Sequence, residues 1–189
     1  MVRFWPWSSR ADTWADNRRP HRGFSHGATA LHRFSALCRL QILMTSDFTV
    51  SAALVFNQKG ETLFVRKHNT KMFMQVGGKP EPDETPLDTL IRETNEELGL
   101  NVLPENIHSI GIFNAPAANE AGLTIKAHCF WFQIFSPITA RAEIAEILWC
   151  NPLDSVPINI APLYRDHLAK ITRQITLSLL SQNQTAETR

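Results

Sequence analysis

The stretch Gly77–Leu100, GGKPEPDETPLDTLIRETNEELGL, carries seven acidic residues in 24 positions, and the fold turns on how it is read. Thr85 followed by Pro86 and Asp88 marks a helix N-terminus: a hydroxyl cap, a proline where no N–H is needed, and an acid three residues on. Gly99 ends the helix, because the left-handed C-terminal position suits a residue without a Cβ. At about 100° per residue, Leu87, Leu90, Ile91 and Leu98 share an arc of roughly 100°, the expected core face. Glu93 and Glu97 stand about 40° apart and Glu96 about 60° further round. Three carboxylates therefore form one acidic arc beside that face.

Such an arc has two readings. The ordinary one is a solvated helix face laced with salt bridges. Against it, Arg92 is the only cation within a turn, and like charges at i,i+3 and i,i+4 repel by a few tenths of a kcal/mol each, on the order of 0.2–0.5. The macrodipole also disfavours negative charge in the C-terminal half of a helix. A hard divalent cation removes both penalties, since Mg²⁺ or Mn²⁺ favours clustered carboxylates, with water and substrate phosphate completing its shell. Side-chain chemistry alone leaves the two readings level.

The fixed letters of the stretch carry a resemblance. Gly78, five residues, Glu84, seven residues, then RETNEELGL from Arg92 to Leu100 resemble the Nudix box, G-x5-E-x7-R-E-U-x-E-E-x-G-U with U apolar, over 23 residues. One position departs: Thr94 stands at an aliphatic U. It lies on the core face, where its methyl can pack and its hydroxyl can bond back to a carbonyl one turn earlier.

The resemblance implies a Nudix-type α/β/α sandwich with a mixed central β-sheet over residues 45–182. It also implies Mg²⁺-assisted attack of water on a nucleoside diphosphate linked to another group. Carried over by position, Glu93, Glu96 and Glu97 hold the metal, with the Gly77 carbonyl as a further ligand. Glu93 or Glu96 activates water. Arg92 orients the glutamates, and Glu84 supports the junction of loop and helix, with Gly78 and Gly99 completing the box. The segment QVGGKPE resembles the loop of MutT-like nucleoside triphosphate pyrophosphohydrolases, with Val76 in place of their usual proline. Glu143, six residues before Trp149, matches the place of an extra metal-binding glutamate in such proteins; Glu146 is the competing choice.

Elsewhere the pattern is mixed β with helices. FTVSAALVF (48–56) and ETLFVRK (61–67) read as a hairpin around NQKG. IHSIGIF (107–113), LTIKAHCFWFQIF (123–135) and EILWCN (146–151) read as further strands. From Pro162 to Ser181, the residues Leu163, His167, Leu168, Ile171, Ile175 and Leu179 fall at helical spacing, and 183–189 reads as a flexible tail.

Substrate-contact candidates are weaker. Lys79 can meet a phosphate as a point charge. Phe73 and Phe113 offer aromatic faces for a base, and Asn114, Asn119 and Asn159 offer paired donor and acceptor. The same residues suit core and turn positions.

The chain has 189 residues, 43% apolar, and a net charge of +1, which suits one domain and points to neither nucleic acid nor an anionic membrane. Residues 1–44 differ, with seven Arg, two Asp and no Lys. A targeting presequence and a basic nucleic-acid arm are possible readings of such a composition. The expectation is a disordered extension, or a start assigned too early with translation beginning at Met44. Cys38, Cys129 and Cys150 show no C-x-x-C spacing, so neither a disulfide framework nor a zinc site is expected. No apolar run reaches the ~18–20 residues that cross a bilayer. The expected protein is a cytoplasmic enzyme that takes a nucleotide, most simply a (deoxy)nucleoside triphosphate cut to monophosphate and pyrophosphate, and a homodimer is compatible with it. The alternatives are a nucleotide-sugar, ADP-ribose or dinucleoside polyphosphate pyrophosphatase, or a non-catalytic binding module, which would be expected to have lost a box glutamate.

Overall fold

A run of apolar and β-branched residues, buried on both faces from Ser51 onward, makes β1, Phe48–Phe56, the central strand. The computed structural model describes residues 46–187 except 155, 157 and 158, and for 184–187 the backbone alone. The expectations for residues 1–44 and for 188–189 lie outside the described residues. Beyond β1 come β2 (Thr62–Lys67), β3 (Val76–Gly78), α1 (Pro86–Leu98), β4 (His108–Pro116), β5 (Thr124–Gln133), β6 (Ile144–Cys150) and α2 (Ala169–Glu187). The sheet order is β4-β5-β1-β2-β6, with β3 paired to β1. β1 and β5 run parallel from Phe48↔Ile125 to Phe56↔Gln133, and every other pairing is antiparallel. The sheet is mixed, as expected.

The two faces of the sheet carry separate cores, because successive side chains of a strand point to opposite sides. Ala53 and Val55 of β1 pack with Leu63, Val65, Val76 and Phe132 beneath Leu90 and Leu98 of α1. Ala52, Leu54 and Phe56 pack with Phe64, Ala127 and Cys129 beneath Leu163, Tyr164, Leu168 and Leu179. One helix lies on each face, which is the α/β/α sandwich.

Three differences from the sequence reading have local causes. β3, three residues long, was not expected, since Gly-Gly has little strand preference; it forms because Gly77 can approach β1 where no side chain fits, a Cβ there lying 2.0 Å from the Ser51 carbonyl oxygen. The buried stripe of α1 is Thr89, Leu90, Glu93, Thr94, Glu97 and Leu98, so the core face is turned toward Thr94, and Leu87 and Ile91 sit at its partly exposed margin. The last helix passes through a π-helical turn at Tyr164–Leu168 and runs to Glu187 rather than ending at Ser181. Among the described residues no helix is long and apolar enough to cross a membrane.

Candidate active site

α1 is held at both ends by its own sequence. The Thr85 hydroxyl accepts from the Asp88 N–H while the Asp88 carboxylate accepts from the Thr85 N–H, and Pro86 fills the first turn. At the other end Gly99 takes φ 68° and donates to the Asn95 carbonyl. The Ser51 hydroxyl donates to the Pro86 carbonyl at 2.7 Å, fixing the start of the helix to β1. The acidic residues of the last two turns thereby come to lie over the β3 edge.

Glu97 is 1% exposed and Glu93 8%. The Gly77 N–H donates to Glu97 Oε2 at 3.1 Å, and a Cβ on Gly78 would stand 2.1 Å from Glu93 Oε1. The glycine pair is what lets both carboxylates close on the strand. Alternation along β2 puts Leu63, Val65 and Lys67 on the α1 face, so the ammonium of Lys67 meets Glu97 Oε1 at 3.0 Å. A register shift between Arg66 and Lys67, together with the bond from the His68 N–H to the Glu143 carbonyl, brings Glu143 to the same ammonium. Glu93, Glu97 and Glu143 each offer an oxygen within 4.8 Å of the others.

Burial pushes the Glu97 carboxyl up to about 7, opposed by Lys67 and the Gly77 N–H. Burial acts to lower Lys67, but the charges of Glu97 and Glu143 outweigh it and its ammonium is raised. Glu97 Oε1 is buried against the Lys67 ammonium at 3.0 Å. An oxygen-only cluster with such an acceptor fits a hard divalent cation.

Arg92 is the organiser beside the cluster. Its Nε and Nη2 hold Glu84 at 2.7 and 3.0 Å, its Nη1 reaches Glu93 at 2.8 Å and Glu96 at 3.2 Å, and Nη2 also donates to the Lys79 carbonyl. The paired guanidinium holds the Glu84 carboxyl down to about 2, and the carboxylates hold Arg92 protonated well above its usual range. Glu96, half exposed on the Arg92 side, is not one of the three converging carboxylates. Glu146 pairs with Arg66 at 2.9 Å.

The cluster opens on a cleft of about 680 Å³, within the range for small-molecule sites of roughly 300–1,000 Å³. Glu93, Glu143, Lys67, Gly77 and Gly78 line one part, and Phe48, Val50, Ala52, Ile125 and Leu163, from the α2-side core, line another. Asn119 and Lys79 also line it; the Lys79 ammonium sits 4.1 Å over the Phe48 ring and 3.3 Å from Glu120. Phe73 and Asn159 do not line it: Phe73 packs on the α2-side core, and its N–H donates to the Asn159 carbonyl at 2.8 Å. Phe113 faces His167 at 5.4 Å. Sequence reasoning missed Lys67 and Gln75. The signal for Lys67 was the apolar alternation of LFVRK, which ends on a charge facing the core.

The family profile of the NUDIX domain matches residues 46–171, and the chain belongs to the Nudix family. The CTP pyrophosphohydrolase of Escherichia coli (strain K12) is 31% identical over 88 residues, 46% of this chain and 61% of that protein; the match thus spans less than two thirds of the relative. Among solved structures, the NUDIX domain of Shewanella oneidensis NrtR complexed with ADP ribose superposes with a TM-score of 0.57 at 13% identity, covering 75% of this chain and 97% of that one. The MutT protein from Methanosarcina mazei Go1 gives 0.55 at 22% identity, covering 67% and 93%.

Proposed function

We propose that the chain is a divalent-metal-dependent pyrophosphohydrolase that cuts a nucleoside diphosphate linkage, with a (deoxy)nucleoside triphosphate as substrate and a nucleoside monophosphate and pyrophosphate as products. The observation that carries this reading is the convergence of Glu93, Glu97 and Glu143 at one part of a cleft whose other part is apolar. Kinship over part of the sequence with a CTP pyrophosphohydrolase supports the reaction class.

In this reading Glu93, Glu97 and Glu143 hold Mg²⁺ or Mn²⁺, with Gly77 presenting its backbone beside them and Glu96 next to them on the helix. The bound ion would neutralise charge on the phosphate oxygens and lower the pKa of coordinated water. A water oxygen bonds to phosphorus at one side of the α–β bridge, the bridging P–O bond breaks, and the water proton passes to a carboxylate. Glu93 lines the cleft and Glu96 does not, so Glu93 is the nearer base and Glu96 acts through their shared partner Arg92. Arg92 fixes the Glu93 carboxylate, and Glu84 fixes Arg92. Lys79 and Lys67 supply positive charge toward the phosphates. Nucleotides and Mg²⁺ are species of the cytoplasm, where we place the protein.

The test is a panel of nucleotides with phosphate-product analysis in Mg²⁺. Equimolar monophosphate and pyrophosphate from a triphosphate supports the reading. Turnover of ADP-ribose or nucleotide sugars, with every triphosphate untouched, would replace it with the other pyrophosphatase class.

A further inference from the structure

Gln75 stands immediately before β3 in an extended segment, with Val76 turned to the α1-side core. Strand alternation therefore sends the Gln75 side chain to the other face, the side on which Ala52 and Leu54 lie. There it lines the cleft. The residue is 5% exposed, and its Nε2 is buried with no hydrogen-bond partner. A buried amide left unpaired is costly, by about 1–3 kcal/mol in mutational data, and folded proteins rarely keep one without a use.

Position supplies the use. Gly77, two residues on, donates to Glu97 of the carboxylate cluster, and two residues of extended chain span roughly 7 Å. A nucleotide whose phosphates meet the carboxylates extends its sugar and base over about that distance and beyond. The neighbouring lining, Phe48, Val50, Ile125 and Leu163, is apolar and packs the flat of a ring without reading its edge. Gln75 is the buried amide beside that apolar lining, and an amide can discriminate because it offers two donors and a directional acceptor.

Resting on the pyrophosphohydrolase reading, we infer that Gln75 selects the base of the nucleotide, its side chain turning in the cleft so that Nε2 donates to a carbonyl or ring-nitrogen acceptor on the base edge. This makes it a specificity residue outside the Nudix box and outside the carboxylate cluster. Its Nε2 has no hydrogen-bond partner among the described residues and gains one from the correct base, so discrimination comes at the expense of stability.

The experiment measures kcat and KM for the four (deoxy)nucleoside triphosphates, and the melting temperature, for the wild type, Gln75→Leu and Gln75→Glu. Leu keeps the bulk without polar atoms; Glu keeps the shape and the acceptor but loses the donor. The expected result is a KM for the best base raised about tenfold in both variants, kcat within about twofold, and a collapsed spread between best and worst bases. Gln75→Leu is expected to melt no lower than the wild type, whereas a residue that merely holds the fold together would melt lower. An unchanged order of bases in both variants overturns the assignment, as does a lowered melting temperature in Gln75→Leu with its base preference intact. A wild type that hydrolyses none of the nucleotides overturns the proposed function itself, so the two failures are told apart.

Discussion

Thr94 separates what one residue does for the fold from what it does for the site. Its side chain is buried and its hydroxyl has no hydrogen-bond partner. The bond back to a carbonyl one turn earlier, expected of Thr94, is made instead by Thr89, which donates to the Thr85 carbonyl at 3.0 Å. Thr94→Val removes an unmet hydroxyl at equal volume, so we expect a gain of about 1 kcal/mol, read as a higher melting temperature with hydrolysis unchanged. A loss of stability would mean that the hydroxyl has a partner. Gly78 is the opposite case. A Cβ there would collide with Glu93, and Gly78 itself has no positive φ to protect, so Gly78→Ala is expected to lower kcat at least tenfold while far-ultraviolet circular dichroism stays native. Thr94 belongs to the helix that the sequence declares by its caps, whereas Gly78 lies on β3 against the Glu93 side of that helix. Their different roles follow from which side of the helix each one meets.

At the scale of the element, loop, helix and carboxylates are tied by one arginine. Arg92 clamps Glu84 through two bonds, and the Glu84 carboxyl is thereby held at about 2, below its ordinary 4.5. A carboxyl lowered on folding stabilises the protein above its unfolded pKa, and the contribution is lost as pH falls through the folded value. The Glu84 share of stability is therefore complete above about pH 4.5 and is lost between there and about pH 2. Urea midpoints followed across that window should fall less steeply for Glu84→Gln than for the wild type; parallel curves would sink the clamp. The limits of α1 and the β1–β2 hairpin were legible because capping, turn and alternation signals are local, whereas the mixed sheet was implied by the Nudix resemblance. The rotation of α1 was not, because Glu93 and Glu97 are buried only through Gly77, Gly78 and Lys67, which come from strands whose pairing no local pattern states. The exposed Glu96 and the buried Glu97 are adjacent letters of one motif.

Across the whole molecule the site is a meeting of β2, β3, α1 and the segment before β6. Lys67 shows how they are coupled: its ammonium lies between Glu97 and Glu143. The sequence reading found Arg92 as the one cation near the acidic arc, and the sheet supplies the second from 26 residues upstream of Glu93. Removing one member of a buried charge group leaves the others uncompensated. Lys67→Met should lower the melting temperature of the metal-free protein by about 4 °C or more, and added Mn²⁺ should restore more of it than it adds to the wild type. Equal shifts in the two proteins would show that Lys67 does not neutralise the cluster. Buried carboxylates on α1, joined by Glu143, would together hold a divalent cation. A Mn²⁺ titration followed by electron paramagnetic resonance, for the wild type and for Glu97→Gln, tests it most directly. Saturable binding is expected for the wild type, and binding at least tenfold weaker for Glu97→Gln. Equal binding by the two proteins, or none by the wild type, would contradict it.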